Sequence, residues 1–178
     1  MSGEPRAEVG AALLGELRRA RTVGIVRLGS IGDVVATLPF AELLRPLLPP
    51  QARLVWVAHP GPARLLEGVA ALDEVIILPR ATVWSAIPRW RRCLREAGID
   101  AIVDLHGNSK SALVALLTGA RVRVGYSRRD CRESLNLLGT NRKLPALASG
   151  NKTRRAMEIA ELLGHPPLGS NAGHLFHR

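Results

Sequence analysis

Val23-Gly24-Ile25-Val26-Arg27-Leu28-Gly29-Ser30-Ile31-Gly32-Asp33-Val34 passes from a short β-branched run through a glycine turn into helical spacing. The run of residues 23–28 reads as a buried strand. Gly29 and Gly32 open a tight turn where the backbone can approach a ligand closely. Helical periodicity then runs from Val34 to about residue 48 and is closed by Pro49-Pro50.

The same alternation continues outward. Residues 54–58 (LVWVA), 74–78 (EVIIL), 101–105 (AIVDL) and 121–125 (RVRVG) read as four more strands. Between them lie helical segments at 83–97, which contains Pro88, and at 109–117. A short helix follows His59-Pro60-Gly61-Pro62, a helix at 6–20 precedes the first strand, and one at 152–163 ends at Gly164. Residues 127–150 read as a polar, Arg-rich loop. Short strands alternating with helices of this length predict an α/β fold: a Rossmann-like parallel sheet of at least five strands with helices on both faces. The expected division is a helical N-terminal extension at 1–21, the Rossmann-like domain at 22–165 and an irregular tail at 166–178.

A chain of 178 residues suits one domain with its own core. No run approaches the roughly 20 apolar residues of a membrane span. The expectation is a cytoplasmic protein whose membrane contact is peripheral. Aromatic residues make up 3% of the chain, too few to build stacking platforms, so no nucleic acid partner is expected. Cys93 and Cys131 stand outside any CxxC or zinc spacing and read as free thiols, although spacing alone leaves a disulfide open. The formal charge is +10. Ten Lys/Arg against Asp130 and Glu133 place +8 of it between residues 121 and 155. Such a cluster favours an anionic partner, against the alternative of a solvated surface.

Ligands of open α/β sheets sit at the carboxyl ends of the strands. Residues 30–33, His59, residues 106–110 and residues 126–129 all follow strand ends. Asp33 lies in a first helical turn, where the helix dipole favours its ionised form. It could accept a proton from a bound hydroxyl. Ser30-x-x-Asp33 could equally be a capping box. In Asp104-Leu105-His106-Gly107-Asn108-Ser109-Lys110-Ser111, Asn108 or Ser109 is a natural N-cap and Lys110 brings a cation to the rim. Sugar or phosphate binding and plain turn chemistry both fit. Arg128 and Arg129 offer guanidinium forks for carboxylate or phosphate oxygens, or simply face water. GxGxxG is missing, and so is an acidic residue at the end of the second strand. Both count against a nucleotide-binding oxidoreductase.

IVRLGSIGDVVATLP, residues 25–39, resembles the opening signature of the ADP-heptose:lipopolysaccharide heptosyltransferases (glycosyltransferase family 9), whose members begin with a strand, RLSSIGD and a helix. DEVIIL (73–78), IDAIVDLHGNSKSAL (99–113), ARVRVGYSRR (120–129) and KTRRAMEIAELLG (152–164) extend the resemblance over residues 22–165. It implies the N-terminal, acceptor-binding half of a two-domain GT-B enzyme. Such an enzyme moves heptose from ADP-heptose to an anionic lipopolysaccharide acceptor, Kdo-lipid A or heptosylated inner core, with inversion and without metal or other cofactor. Asp33 maps onto the family's general base. Ser30, Gly32, Asn108, Lys110, Arg128 and Arg129 map near the acceptor, with Arg64 a further candidate. Gly29 stands where the family has the first serine of its signature. The donor-binding C-terminal half is not recognised here. The expected partners are therefore that half as a separate chain, the acceptor and the inner face of the inner membrane. A non-catalytic anion-binding Rossmann-like module is the alternative.

Overall fold

A computed structural model of the chain describes residues 4–79 and 83–168. Its elements, in chain order, are α1 (Glu4–Arg18), β1 (Thr22–Val26), α2 (Ile31–Leu44), β2 (Arg53–Ala58), α3 (Pro60–Ala63), β3 (Glu74–Ile77) and α4 (Val83–Glu96). They continue with β4 (Ala101–Asp104), α5 (Ser109–Thr118), β5 (Val122–Gly125), α6 (Asn136–Gly139), β6 (Arg142–Lys143) and α7 (Lys152–Leu162). The expected tail lies beyond residue 168 for most of its length and so falls outside the described residues.

All six strands are parallel, in the order β3-β2-β1-β4-β5-β6. From β1 the chain winds outward one way through β2 and β3, then returns beside β1 and winds the other way through β4 to β6. The reversal between β1 and β4 is a topological switch point, where the two flanking loops part and leave a crevice. This is the α/β Rossmann-like fold that the sequence predicts.

The alternation of side chains builds the two faces. Ile25, Trp56 and Val103 point into one core, with Leu13 and Leu17 of α1, Phe40 and Leu44 of α2, and Ile159 and Ala160 of α7. Val26, Val57 and Ile102 point into the other, with Trp90 and Leu94 of α4 and Val114 of α5. Strands covered on both faces are apolar along their whole length, which is why β1 and β2 read as continuous runs. The N-terminal segment therefore belongs to the same core as the sheet.

The stretch 127–150 departs from its expected loop. It carries α6 and the edge strand β6, which pairs Val124 with Arg142 and Gly125 with Lys143. Both β6 residues are exposed, so no apolar run announces the strand. Arg142 Nε reaches Glu16 Oε2 at 2.9 Å, and Lys143 Nζ donates to Leu137 O at 2.9 Å.

Gly10 marks where α1 crosses α7: a Cβ there would sit 1.7 Å from Leu162 O. A Cβ at Gly15, on the same helix, would meet only the flexible Arg19 guanidinium, at 3.9 Å. The two positions should respond oppositely to alanine. Gly15→Ala should raise stability by up to about 1 kcal/mol, the helix-propensity difference. Gly10→Ala should lower it by about 1–3 kcal/mol, because the helices must part. Urea unfolding of both variants checks the contrast, and two changes of the same sign would contradict this packing.

Candidate functional site

The site grows from the ends of β1, β4 and β5. One residue beyond β1, Arg27 turns back under the sheet rim. Its side chain is only 4% exposed. A buried guanidinium needs acceptors, and Arg27 finds two: Nη1 donates to Leu105 O beyond β4, and Nη2 pairs with Asp33 Oδ2 at 3.0 Å. Its carbonyl accepts from Trp56 Nε1 at 3.2 Å. Arg27 is thus fixed from three directions.

Asp33 is the third residue of α2. Lys152 Nζ, from the first turn of α7, donates to its Oδ1, and Arg132 Nη1 stands 4.0 Å from Oδ2. Burial is the largest influence on the carboxyl and pushes its pKa up. The Lys152 hydrogen bond, the charges of Arg27 and Lys152 and the Ser30 N–H together outweigh it, and the net shift is downward. The Ser30 N–H favours the ionised carboxyl, but no capping box of the expected kind forms. The Ser30 hydroxyl makes no cap hydrogen bond, and the residue is exposed at the helix start.

The turn after β4 is built on Asp104, which is fully buried. It accepts from His106 N at 2.8 Å, Gly107 N at 3.0 Å, Ser111 Oγ at 2.7 Å and Asn136 Nδ2 at 2.6 Å. Burial raises its pKa against these bonds. Gly107 has φ +75°, and a Cβ there would lie 2.9 Å from Tyr126 Cδ2, so the turn requires glycine. The cage holds His106 at the rim. Burial first, then the charges of Arg27 and Arg132, push the His106 pKa down to about 4. It is therefore a neutral imidazole at pH 7.

Beyond β5, Tyr126 OH donates to Leu105 O at 3.3 Å, the carbonyl that Arg27 also uses. Arg155 of α7 lies over its ring, 5.2 Å from the centroid, and pairs with Asp130 at 2.7 Å. These groups enclose a cavity of about 200 Å³ lined by Arg27, Thr37, His106, Tyr126, Arg132 and Lys152, with Asp130, Gly150 and Arg155 completing the wall. Arg27 Nε, His106 Nδ1 and Arg155 Nε are buried with no hydrogen-bond partner among the described residues. The wall thus carries four cations and the carboxylate of Asp130, and Asp33 stands behind it, bound to two of those cations, Arg27 and Lys152. That chemistry suits a small anionic or polyhydroxylated group. A wider cavity of about 620 Å³ lies at the opposite, amino end of the sheet, lined by Glu16, Arg21, Asp100 and Arg121 among others. Among the described residues, no three His, Cys, Asp or Glu side chains gather as metal ligands would.

The residues expected from sequence divide in two. Asp33 is not itself in the cavity wall but is bound to two residues that are, Arg27 and Lys152. Gly32 and Ser30 are exposed beside it, and a Cβ at Gly32 would meet nothing within 4 Å. Asn108 is occupied as the N-cap of α5, its Oδ1 accepting from Ser111 N at 2.9 Å. Lys110 is half-buried on α5, while Arg128 and Arg129 are exposed on the turn after β5. None of the three is in the cavity wall. Arg64 lies in a short turn after α3, also away from that wall. His59 sits beyond β2, its Nδ1 2.8 Å from Leu78 O, and its ring lies 6.1 Å from that of Trp90. The cations of the wall, Arg27, Arg132, Lys152 and Arg155, are residues that the sequence reading left without a role. Arg27 carried a signal, being a lone charge in an otherwise apolar strand run. Lys152 carried none, because its partner lies 119 residues away.

The strand order and a carboxylate at the switch point define a Rossmann-like domain with its ligand crevice at the β1–β4 boundary. No family model matches the chain. Lipopolysaccharide heptosyltransferase 1 of Escherichia coli is 29% identical over 151 residues, which cover 79% of this chain and 47% of that protein. The protein of the same name from Pseudomonas aeruginosa is 28% identical, over 80% of this chain and 42% of its own length. The E. coli heptosyltransferase WaaC with ADP-2-deoxy-2-fluoro heptose superposes with a TM-score of 0.71 at 28% identity, covering 84% of this chain and 50% of that one. A glycosyl transferase family 9 structure from Veillonella parvula, 21% identical with a TM-score of 0.67, shows the same fold over 85% of this chain and 43% of its own. By sequence and fold together, the chain is similar to part of these heptosyltransferases. It spans just under half the length of the curated relatives it matches.

The burial of neutral His106 sets a pH dependence. Its folded pKa, about 4, lies below the ordinary 6.5, so between these values the unfolded chain binds the extra proton. Stability should therefore fall as pH drops from 6.5 towards 4, by about 3 kcal/mol for this residue alone. Asp33, whose folded pKa is depressed, adds its own loss only below its ordinary 3.8. His106→Gln should flatten the pH 4–6.5 limb of the stability curve and leave the lower limb in place. Urea melts at stepped pH measure both limbs.

Proposed function

We propose that this chain is the acceptor-binding domain of an inverting, metal-independent glycosyltransferase that moves heptose from ADP-heptose to the inner core of lipopolysaccharide. One observation carries this reading: Asp33, the residue that the family signature marks as base, is paired with Arg27 and Lys152, two cations that line a cavity at the switch point. The acceptor is anionic, and Arg132 and Lys152 at the cavity would hold its carboxylate or phosphate oxygens. Asp33 would take the proton of the acceptor hydroxyl while that oxygen attacks the anomeric carbon. The bond from this carbon to the diphosphate breaks on the opposite face, and its electron pair leaves with the diphosphate. The centre is therefore inverted.

A second domain, facing this rim, would hold the nucleotide sugar in a GT-B arrangement. The chain's span of just under half its relatives supports that division. Among the described residues no helix is long and apolar enough to cross a membrane. A cytoplasmic domain that meets its lipid-linked acceptor at the inner face of the inner membrane fits the basic surface. One observation favours the non-catalytic alternative: both Asp33 oxygens are engaged by cations.

Turnover with a donor-binding half, supplied in trans or by fusion, separates the two. The chain alone should transfer no heptose, because half a cleft cannot orient donor and acceptor together. With the second half supplied, Asp33→Asn should reduce turnover per folded molecule by roughly 10²–10⁴-fold. It should also cost about 3 kcal/mol of stability by leaving Arg27 buried without its counter-charge. Turnover and urea unfolding must come from the same preparation. Near-normal turnover in Asp33→Asn would remove Asp33 from the chemistry. Absence of turnover in the restored wild type, with anion binding intact, would favour the binding module.

A further inference from the structure

We infer that Lys152 is an exchangeable counter-ion, which pins the Asp33 carboxylate in the free site and transfers to the anionic group of an incoming ligand. The inference rests on the anion-binding reading of the cavity and adds an order of events to it. Three cations face Asp33, and they are not equivalent. Arg27 is 4% exposed and anchored by Leu105 O on its other arm. It cannot follow a ligand. The Lys152 side chain is 57% exposed, stands on the first residue of α7 and makes its sole hydrogen bond among the described residues to Asp33 Oδ1. The Arg132 side chain is 58% exposed and only brushes the carboxylate, at 4.0 Å. A fixed cation thus occupies the floor of the cavity, and two cations on flexible stems line its mouth. The other charged or titratable groups there are His106, held neutral by burial, Tyr126, and the Arg155–Asp130 pair.

An anion entering this mouth meets Lys152 and Arg132 before Asp33. An ammonium is a point charge with rotatable donors, so Lys152 can swing towards a carboxylate or phosphate while its backbone stays in the helix. The swing strips one donor from Asp33 Oδ1 and leaves a lone pair where the ammonium, itself part of the cavity wall, had stood. Arg27 still holds Oδ2, so the carboxylate does not move. The oxygen released is the one free to accept a hydroxyl proton. A carboxylate clamped by two cations is a poor base, since both favour its ionised form. Ligand capture by Lys152 removes that handicap only when a ligand is present. Lys152 acts here as a positioning residue.

A double-mutant cycle on anion affinity tests the exchange in the full chain, with inorganic phosphate as probe and calorimetry as readout. In wild type, phosphate must compete with Asp33 for Lys152. Asp33→Asn should therefore tighten phosphate binding by about tenfold, a common size of coupling between residues in contact. In a Lys152→Met background, the same substitution should gain no more than about twofold, because no competition remains. Equal gains in both backgrounds would overturn the exchange and leave the anionic site standing. No phosphate binding in any of the four proteins would overturn the anionic-site reading and the exchange together. A second measurement needs no change at Asp33. Its ¹³Cγ titration midpoint should rise on adding saturating phosphate to wild type, and rise less in Lys152→Met. An equal rise in the two proteins would report plain charge repulsion and overturn the exchange.

Discussion

The buried pair between Arg27 and Asp33 organises everything at the carboxyl rim. Removing two charges from water is costly unless each finds further partners. Arg27 therefore binds Leu105 O beyond β4, and Asp33 draws Lys152 from α7. One ion pair thus ties together the ends of β1 and β4, the start of α2 and the start of α7. These are the two strands on either side of the winding reversal and two helices packed on one face of the sheet. The crevice of any doubly wound sheet lies there, and here it is floored by a fixed charge pair.

Asp104 performs the complementary task without any cation. Four donors, two from the backbone and two from side chains, satisfy its carboxyl in the dry interior. The cage shapes the turn through Gly107 and anchors both α5, through Ser111, and α6, through Asn136. Two acidic residues, Asp33 in the first turn of α2 and Asp104 at the end of β4, thus have opposite roles. One lies beside a cavity and is held between a buried guanidinium and an exposed ammonium. The other is sealed, its pKa raised by burial, and it serves only architecture.

Much of the fold was legible because both faces of the sheet are covered. Full burial makes each central strand a short β-branched run, and β1, β2 and β4 could be read directly. β6 could not, since a two-residue edge strand with exposed Arg142 and Lys143 has no apolar signature. The site was legible only in its local part. Gly29, Ser30, Gly32 and Asp33 share one turn and announce themselves together. Asn108 looked equally suited to capping and to binding, and its side chain caps. The cations are a tertiary product: Arg132 and Lys152 come from segments 99 and 119 residues beyond Asp33, in a stretch whose excess of charge was visible but whose aim was not. Arg128 and Arg129 lie four and three residues before Arg132, one of the cations that face Asp33, and nothing local ranks the three.

The gradient of exposure across these cations bears on how such a site can serve chemistry. A general base must be held in place and still keep a lone pair available, and the two demands conflict when the holding groups are cations. Placing both cations in the dry interior would fix the carboxylate permanently in its ionised, fully bonded state. Placing both in water would leave the carboxylate unanchored. Here one oxygen is bound to a buried guanidinium and the other to a solvent-facing ammonium. Position and reactivity are thereby assigned to different oxygens of the same group. The division needs a strand residue beneath the carboxylate and a helix terminus beside it. The β1–α2 turn, packed against the start of α7, supplies both.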